Sequence, residues 1–194
     1  MATNIVVSGV PGVGASKVCE QTRRELGEEY TLVNIGDVML QEALEHGLAS
    51  SREELVRLRL RDQRALQRRA SEHIARESDS GPLLINTHLV VETPLGYIPG
   101  LSDAMLRDVD PGAFVVVDAG TETIRDRRER SDRAYDYFSR SIDFHKQLQN
   151  CAALAYSLES NAPVYHLQNE GELEETSEQL VTIAGILSNL SGQP

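Results

Sequence analysis

Short apolar, β-branched runs recur along the chain at Asn4–Ser8, Thr31–Ile35, Leu83–Asn86, Phe114–Asp118 and Val164–Leu167, each followed by a stretch of helical character. Runs that are apolar throughout, instead of alternating with polar residues, are typical of strands covered on both faces. The order predicts an α/β fold, a five-stranded parallel sheet with helices on both faces. Helices are expected over residues 16–28, 37–46, 52–76, 103–108, 122–130, 141–160 and 173–190. Breakers fall where turns are needed: Gly81-Pro82 before the third strand, Asp110-Pro111-Gly112 before the fourth and Pro163 opening the fifth. The segment 87–101, shaped by Pro94, Gly96, Pro99 and Gly100, reads as a long loop across the carboxyl ends of the strands, where open α/β sheets bind ligands. With 194 residues and no repeat or linker-like tract, a single domain spanning 1–194 is expected.

The first strand runs into Gly9-Val10-Pro11-Gly12-Val13-Gly14-Ala15-Ser16, and an amphipathic helix follows. Strand, glycine loop, helix is the order of a phosphate-binding loop, in which backbone N–H groups converge on phosphate oxygens and the helix adds its positive end. Residues Gly9 to Lys17 are therefore the expected ATP site, with the Ser16 hydroxyl in the position that holds magnesium. Gly9 and Gly14 take the fixed glycine positions of the GxxxxGK[ST] pattern, but Ala15 stands where the pattern has Lys. Lys17 or an Arg from elsewhere must supply the missing charge, or binding is weaker.

Charge distribution sharpens this reading. A net charge of −11 repels DNA and RNA, so no DNA partner is expected. Of 17 Arg, eight lie between Arg52 and Arg76 and six between Arg125 and Arg140, which suits small polyanionic ligands and equally fits two solvated helix faces. Lys is confined to Lys17 and Lys146 against 30 Asp and Glu, a halophilic bias like that of proteins from salt-accumulating cells. The chain has no apolar run of about 20 residues and no basic-then-apolar leader, so a soluble cytoplasmic protein without a membrane partner is expected. Cys19 and Cys151 lack ligand spacing and are expected to be reduced thiols.

Gly9-Val10-Pro11-Gly12-Val13-Gly14, Val33-Asn34-Ile35-Gly36-Asp37-Val38-Met39, Thr87-His88, Thr93-Pro94, Gly96-Tyr97, Pro99-Gly100-Leu101 and Gln168-Asn169 resemble, in this order over nearly the whole chain, the archaeal-type adenylate kinases. The resemblance implies a nucleoside-monophosphate-kinase version of the P-loop fold, with an AMP-binding arm over about 36–78 and a short lid over about 125–140. It also implies reversible Mg2+-dependent transfer from ATP to AMP, giving two ADP, and a homotrimer. On its terms the AMP site comprises Gly36, Asp37, Arg57, Gln63, Thr87 and His88, with Arg57 preferred over Arg59, Arg61 and Arg64. Asp37 also reads as a helix cap, and His88 as a structural histidine. Arg127, Arg128 and Arg133 are the implied catalytic arginines of the lid. Three positions depart from the family: Ala15 for Lys, a change that some members share, Asn86 for the Asp before Thr-His, and Asn150 for an Arg. Magnesium is then expected at Ser16, with Asn86 and Asp118 reaching it through water. The alternative is a nucleotide-binding module with weakened or lost transfer, acting as a regulatory or assembly switch read by an RNA or protein partner. A third possibility keeps the kinase and changes the acceptor to another monophosphate or a small alcohol.

Overall fold

The computed structural model describes residues 3–131 and 141–191. Five strands, β1 (Asn4–Ser8), β2 (Thr31–Asn34), β3 (Leu83–Thr87), β6 (Pro111–Asp118) and β7 (Val164–Gln168), pair in parallel in the order β2-β3-β1-β6-β7. All five expected strands are present, and β6 begins three residues earlier than its apolar run. The register sets Val7 beside Asn86, Ser8 beside Thr87 and Asn34 beside Asn86, so the carboxyl ends of β2, β3 and β1 form one ledge.

Strand alternation sends side chains to two cores. Ile5, Val7, Leu84, Val115 and Val117 pack beneath α1 (Ala15–Leu26) and α8 (Leu173–Ser191). Val6, Ile85, Phe114 and Val116 pack on the other face beneath α4 (Leu60–Ser78), α5 (Asp103–Val109) and α7 (Ile142–Ser160). Burial on both faces is why these strands read as continuous apolar runs. Among the described residues, no helix is long and apolar enough to cross a membrane.

Two expectations are corrected. The Arg-rich stretch 52–76 is two helices, α3 (Arg52–Leu55) and α4, because the Gln63 side-chain amide donates to the Leu55, Val56 and Leu58 carbonyls and ties off α3. The bend brings Leu55 and Leu58 against Leu66 and against Ala43 of α2 (Ile35–Glu45), giving the arm a small core of its own. The segment 87–101 is likewise no plain loop. It contains an antiparallel hairpin of β4 (Val90–Thr93) and β5 (Gly96–Pro99), turned at Pro94-Leu95, with Leu95 N donating to Thr93 Oγ1 at 3.3 Å. Pro and Gly mark the turn and its flanks, and the alternating Val-Val-Glu-Thr and Gly-Tyr-Ile-Pro stretches form the strands.

Candidate nucleotide site

β1 ends at Ser8, and the chain turns through the glycine loop into α1. Gly12 and Gly14 adopt φ of 90° and 95°, a region that side chains rarely enter. Space adds to the restriction: a Cβ on Gly14 would lie 2.6 Å from Asn169 Nδ2, and one on Gly12 2.8 Å from Arg128 Cγ. The outward-turned carbonyls are held from all sides. Arg127 Nη1 and Asn169 Nδ2 donate to Val13 O at 2.9 and 2.8 Å, and Arg128 Nε donates to Pro11 O at 2.8 Å. His88 Nδ1 lies 2.7 Å from Gly9 O. Both arginines come from α6 (Thr121–Glu129), and the loop leads into the positive end of α1.

This arrangement bears on the missing lysine. Ala15 is buried and Lys17 is exposed on α1. Among the described residues, the guanidinium groups that reach the loop belong to Arg127 and Arg128. Arg133 lies outside the described residues, as does the lid from 132 to 140. Asn150 is exposed on α7.

At the next strand end the Asn86 amide donates to Ser16 Oγ at 2.8 Å. Asn34, its register neighbour on β2, caps α2 by accepting from Gly36 N and Asp37 N at 3.1 and 3.4 Å. A cleft of about 440 Å³ opens here, lined by Ser16, Asn34, Asp37, Val38 and Asn86, together with Glu20, Gln41, His73 and Glu77. Asp37 therefore shares a cleft with Ser16 and Asn86. Asp118 is engaged elsewhere: its carboxylate takes Lys146 Nζ at 3.0 Å and Ala119 N at 2.8 Å, with His166 Nε2 at 3.6 Å. Among the described residues, no cluster of three or more His, Cys, Asp or Glu side chains could hold a metal by itself.

The other expected acceptor residues divide. Gly36 and Asp37 open α2 at the cleft, and Thr87 is buried at the end of β3, beside Ser8 in register. His88 braces the glycine loop. Arg57 is exposed in the turn after α3, and the Gln63 nitrogen is committed to α3 carbonyls. The arginine that the arm does bring to the ledge is Arg52, whose Nη2 donates to Asn34 Oδ1 at 3.1 Å and to Asp37. Nothing in the local sequence marks it, because its partners lie 15 and 18 residues away. Gln149 was also missed: buried on α7, it accepts from Val90 N at 3.0 Å and donates to Ser8 Oγ, bolting the hairpin root to the strand that feeds the loop.

The AAA domain family matches residues 8–140. Curated relatives similar to the chain include the adenylate kinase of Pyrococcus furiosus, 33% identical over 95% of this chain and 96% of the relative. The adenylate kinase of Methanothermobacter thermautotrophicus is 37% identical over 89% and 94%. Among solved structures, a gluconokinase from Sinorhizobium meliloti superposes with a TM-score of 0.56 at 18% identity, covering 98% of this chain and 96% of that one. That likeness identifies the fold as that of P-loop kinases.

Proposed function

Since the chain belongs to the adenylate kinase family of P-loop kinases, we propose that it transfers the terminal phosphoryl group of ATP to AMP, reversibly and with Mg2+, giving two ADP. The observation that carries the reading is the pre-shaped glycine loop, whose strand end stands next to a cleft lined by the opening of α2. Donor phosphates lie in the loop, held by backbone N–H groups and the α1 terminus. The acceptor lies on the β2–β3 side, against Gly36, Asp37, Thr87 and the arm, with Arg57 in the turn after α3 and Gln63 at the start of α4. Transfer between bound phosphates needs alignment and charge stabilisation more than covalent help. Arg127 and Arg128 supply positive charge at the loop, which compensates for Ala15, and Arg133 joins them from the lid.

The donor set fits magnesium: a hydroxyl at Ser16, an amide at Asn86 and a carboxylate at Asp37 are hard oxygen groups in one cleft, and the nucleotide's phosphates complete the shell. When bound beside these groups, the ion would supply positive charge against the negative charge that develops in transfer. Asp37 takes the outer position in place of Asp118, which is held by Lys146. Asn86 positions Ser16 without adding charge. The protein acts as a homotrimer, by likeness to its family.

Steady-state ADP formation, with and without AMP and in low and molar salt, tests the reading. AMP-dependent turnover is expected, Asn86→Asp should preserve or raise it, and Gly14→Val should abolish ATP binding in a folded protein. Absence of AMP-dependent ADP at every salt concentration would overturn the kinase assignment.

A further inference from the structure

Arg52 stands at the head of α3, yet its guanidinium lies on α2. Nη2 donates to Asn34 Oδ1 at 3.1 Å and to the Asp37 carboxylate, and Nη1 fills the space that a side chain on Gly36 would need. Asp37 lines the cleft with Ser16 and Asn86, and Asn34 is the register neighbour of Asn86. The polar groups thus form one row across the strand ends: Ser16, Asn86, Asn34, then Asp37 with Arg52 upon it. A guanidinium at the positive end of α2 is unfavourable by itself and is held there by the negative groups it meets, Asp37 above all. A divalent cation seated at the Ser16 end would draw on the same carboxylate through its water shell. Asp37 is two-thirds exposed and Arg52 about one-third, so their pair is weak enough to exchange.

We propose that Arg52 is a tethered competitor for Asp37: it holds the carboxylate until a divalent cation binds with the donor phosphates, and then yields it. Loading of the donor site then unties the head of α3, and the arm that receives the second nucleotide is released only when the first is in place. The inference rests on the kinase reading above. Arg52 acts here through Asp37 and is a positioning residue.

Magnesium titrated into protein saturated with a non-hydrolysable ATP analogue tests the exchange. Arg52→Gln should bind Mg2+ roughly two- to fivefold more tightly, the scale of losing one partly exposed ion pair, with affinity for the metal-free analogue unchanged. Arg52→Lys should return most of the way to wild type, and Arg52→Gln should add nothing in an Asp37→Asn background. In the wild type, amide hydrogen exchange over residues 52–55 should be faster with analogue plus Mg2+ than with analogue alone. Unchanged or weaker Mg2+ binding in Arg52→Gln, or exchange indifferent to the metal, overturns the proposal and leaves the kinase reading standing. A wild type that does not bind the analogue at all overturns both.

Discussion

Buried between the hairpin and α7, His145 is almost fully shielded, with Nε2 3.1 Å from Val90 O, Nδ1 4.0 Å from Glu92 Oε2 and the Tyr97 ring edge-on at 5.0 Å. Burial pushes its pKa below the ordinary imidazole value, helped by the charge of Arg128 and opposed by the contact with the Val90 carbonyl. The folded state therefore holds this ring neutral, and unfolding raises its proton affinity to about 6.5. Between the two values the unfolded chain binds more protons, so stability rises with pH. The contribution is complete above about pH 6.5 and is lost as pH falls toward the folded value, by at most about 1.4 kcal/mol per pH unit for one site. Thermal midpoints recorded from pH 7.5 to 5 should show that decline, and His145→Gln should flatten it. A slope identical in the variant would assign the pH dependence to other groups. At this scale the sequence speaks where a pattern fixes the position: Ala15 and Ser16 stand out by their places in the glycine loop, and Asn86 by the family resemblance around Thr87-His88. Arg52 and Gln149 carry no such mark, since each acts through contacts made 15 or more residues away in the chain.

Among the elements, strands were more legible than the pieces between them. Covered strands announce themselves as apolar runs, whereas the 52–76 stretch contains no Gly or Pro to mark a stop and breaks where a side-chain contact competes with propensity. Gln63 is that contact. Gln63→Leu, which keeps the apolar body and removes the donor shared by three carbonyls, should destabilise the protein by about 1–3 kcal/mol. Urea unfolding measures the loss, and acceptor affinity should fall with it as the arm loosens. An unchanged urea midpoint would show that packing of Leu55, Leu58 and Leu66 alone sets the bend. The hairpin was hidden for the opposite reason: its strands are four residues each, too short for alternation to outweigh the Pro and Gly around them.

Taken whole, the molecule is an anion that binds anions. Its net charge of −11 opposes both compaction and the approach of a nucleotide, and Arg127 and Arg128 at the loop and Arg52 on the arm bring positive charge against it. Potassium chloride in the molar range screens carboxylate repulsion, so the thermal midpoint and the AMP-dependent rate should both rise with salt. A midpoint that is flat or falls with salt would argue against adaptation to high salinity. Composition gives the net charge, and the fold gives the places of Arg52, Arg127 and Arg128.

The four donors on the carbonyls of Gly9, Pro11 and Val13 have a kinetic consequence. A loop already fastened in its working shape has no slow rearrangement to complete after encounter, so nucleotide capture should be a one-step collision. In stopped-flow traces with a fluorescent ATP analogue, the observed rate should climb in a straight line with concentration, and Arg128→Ala should bend that line into a plateau as loop closure becomes a separate, slower event.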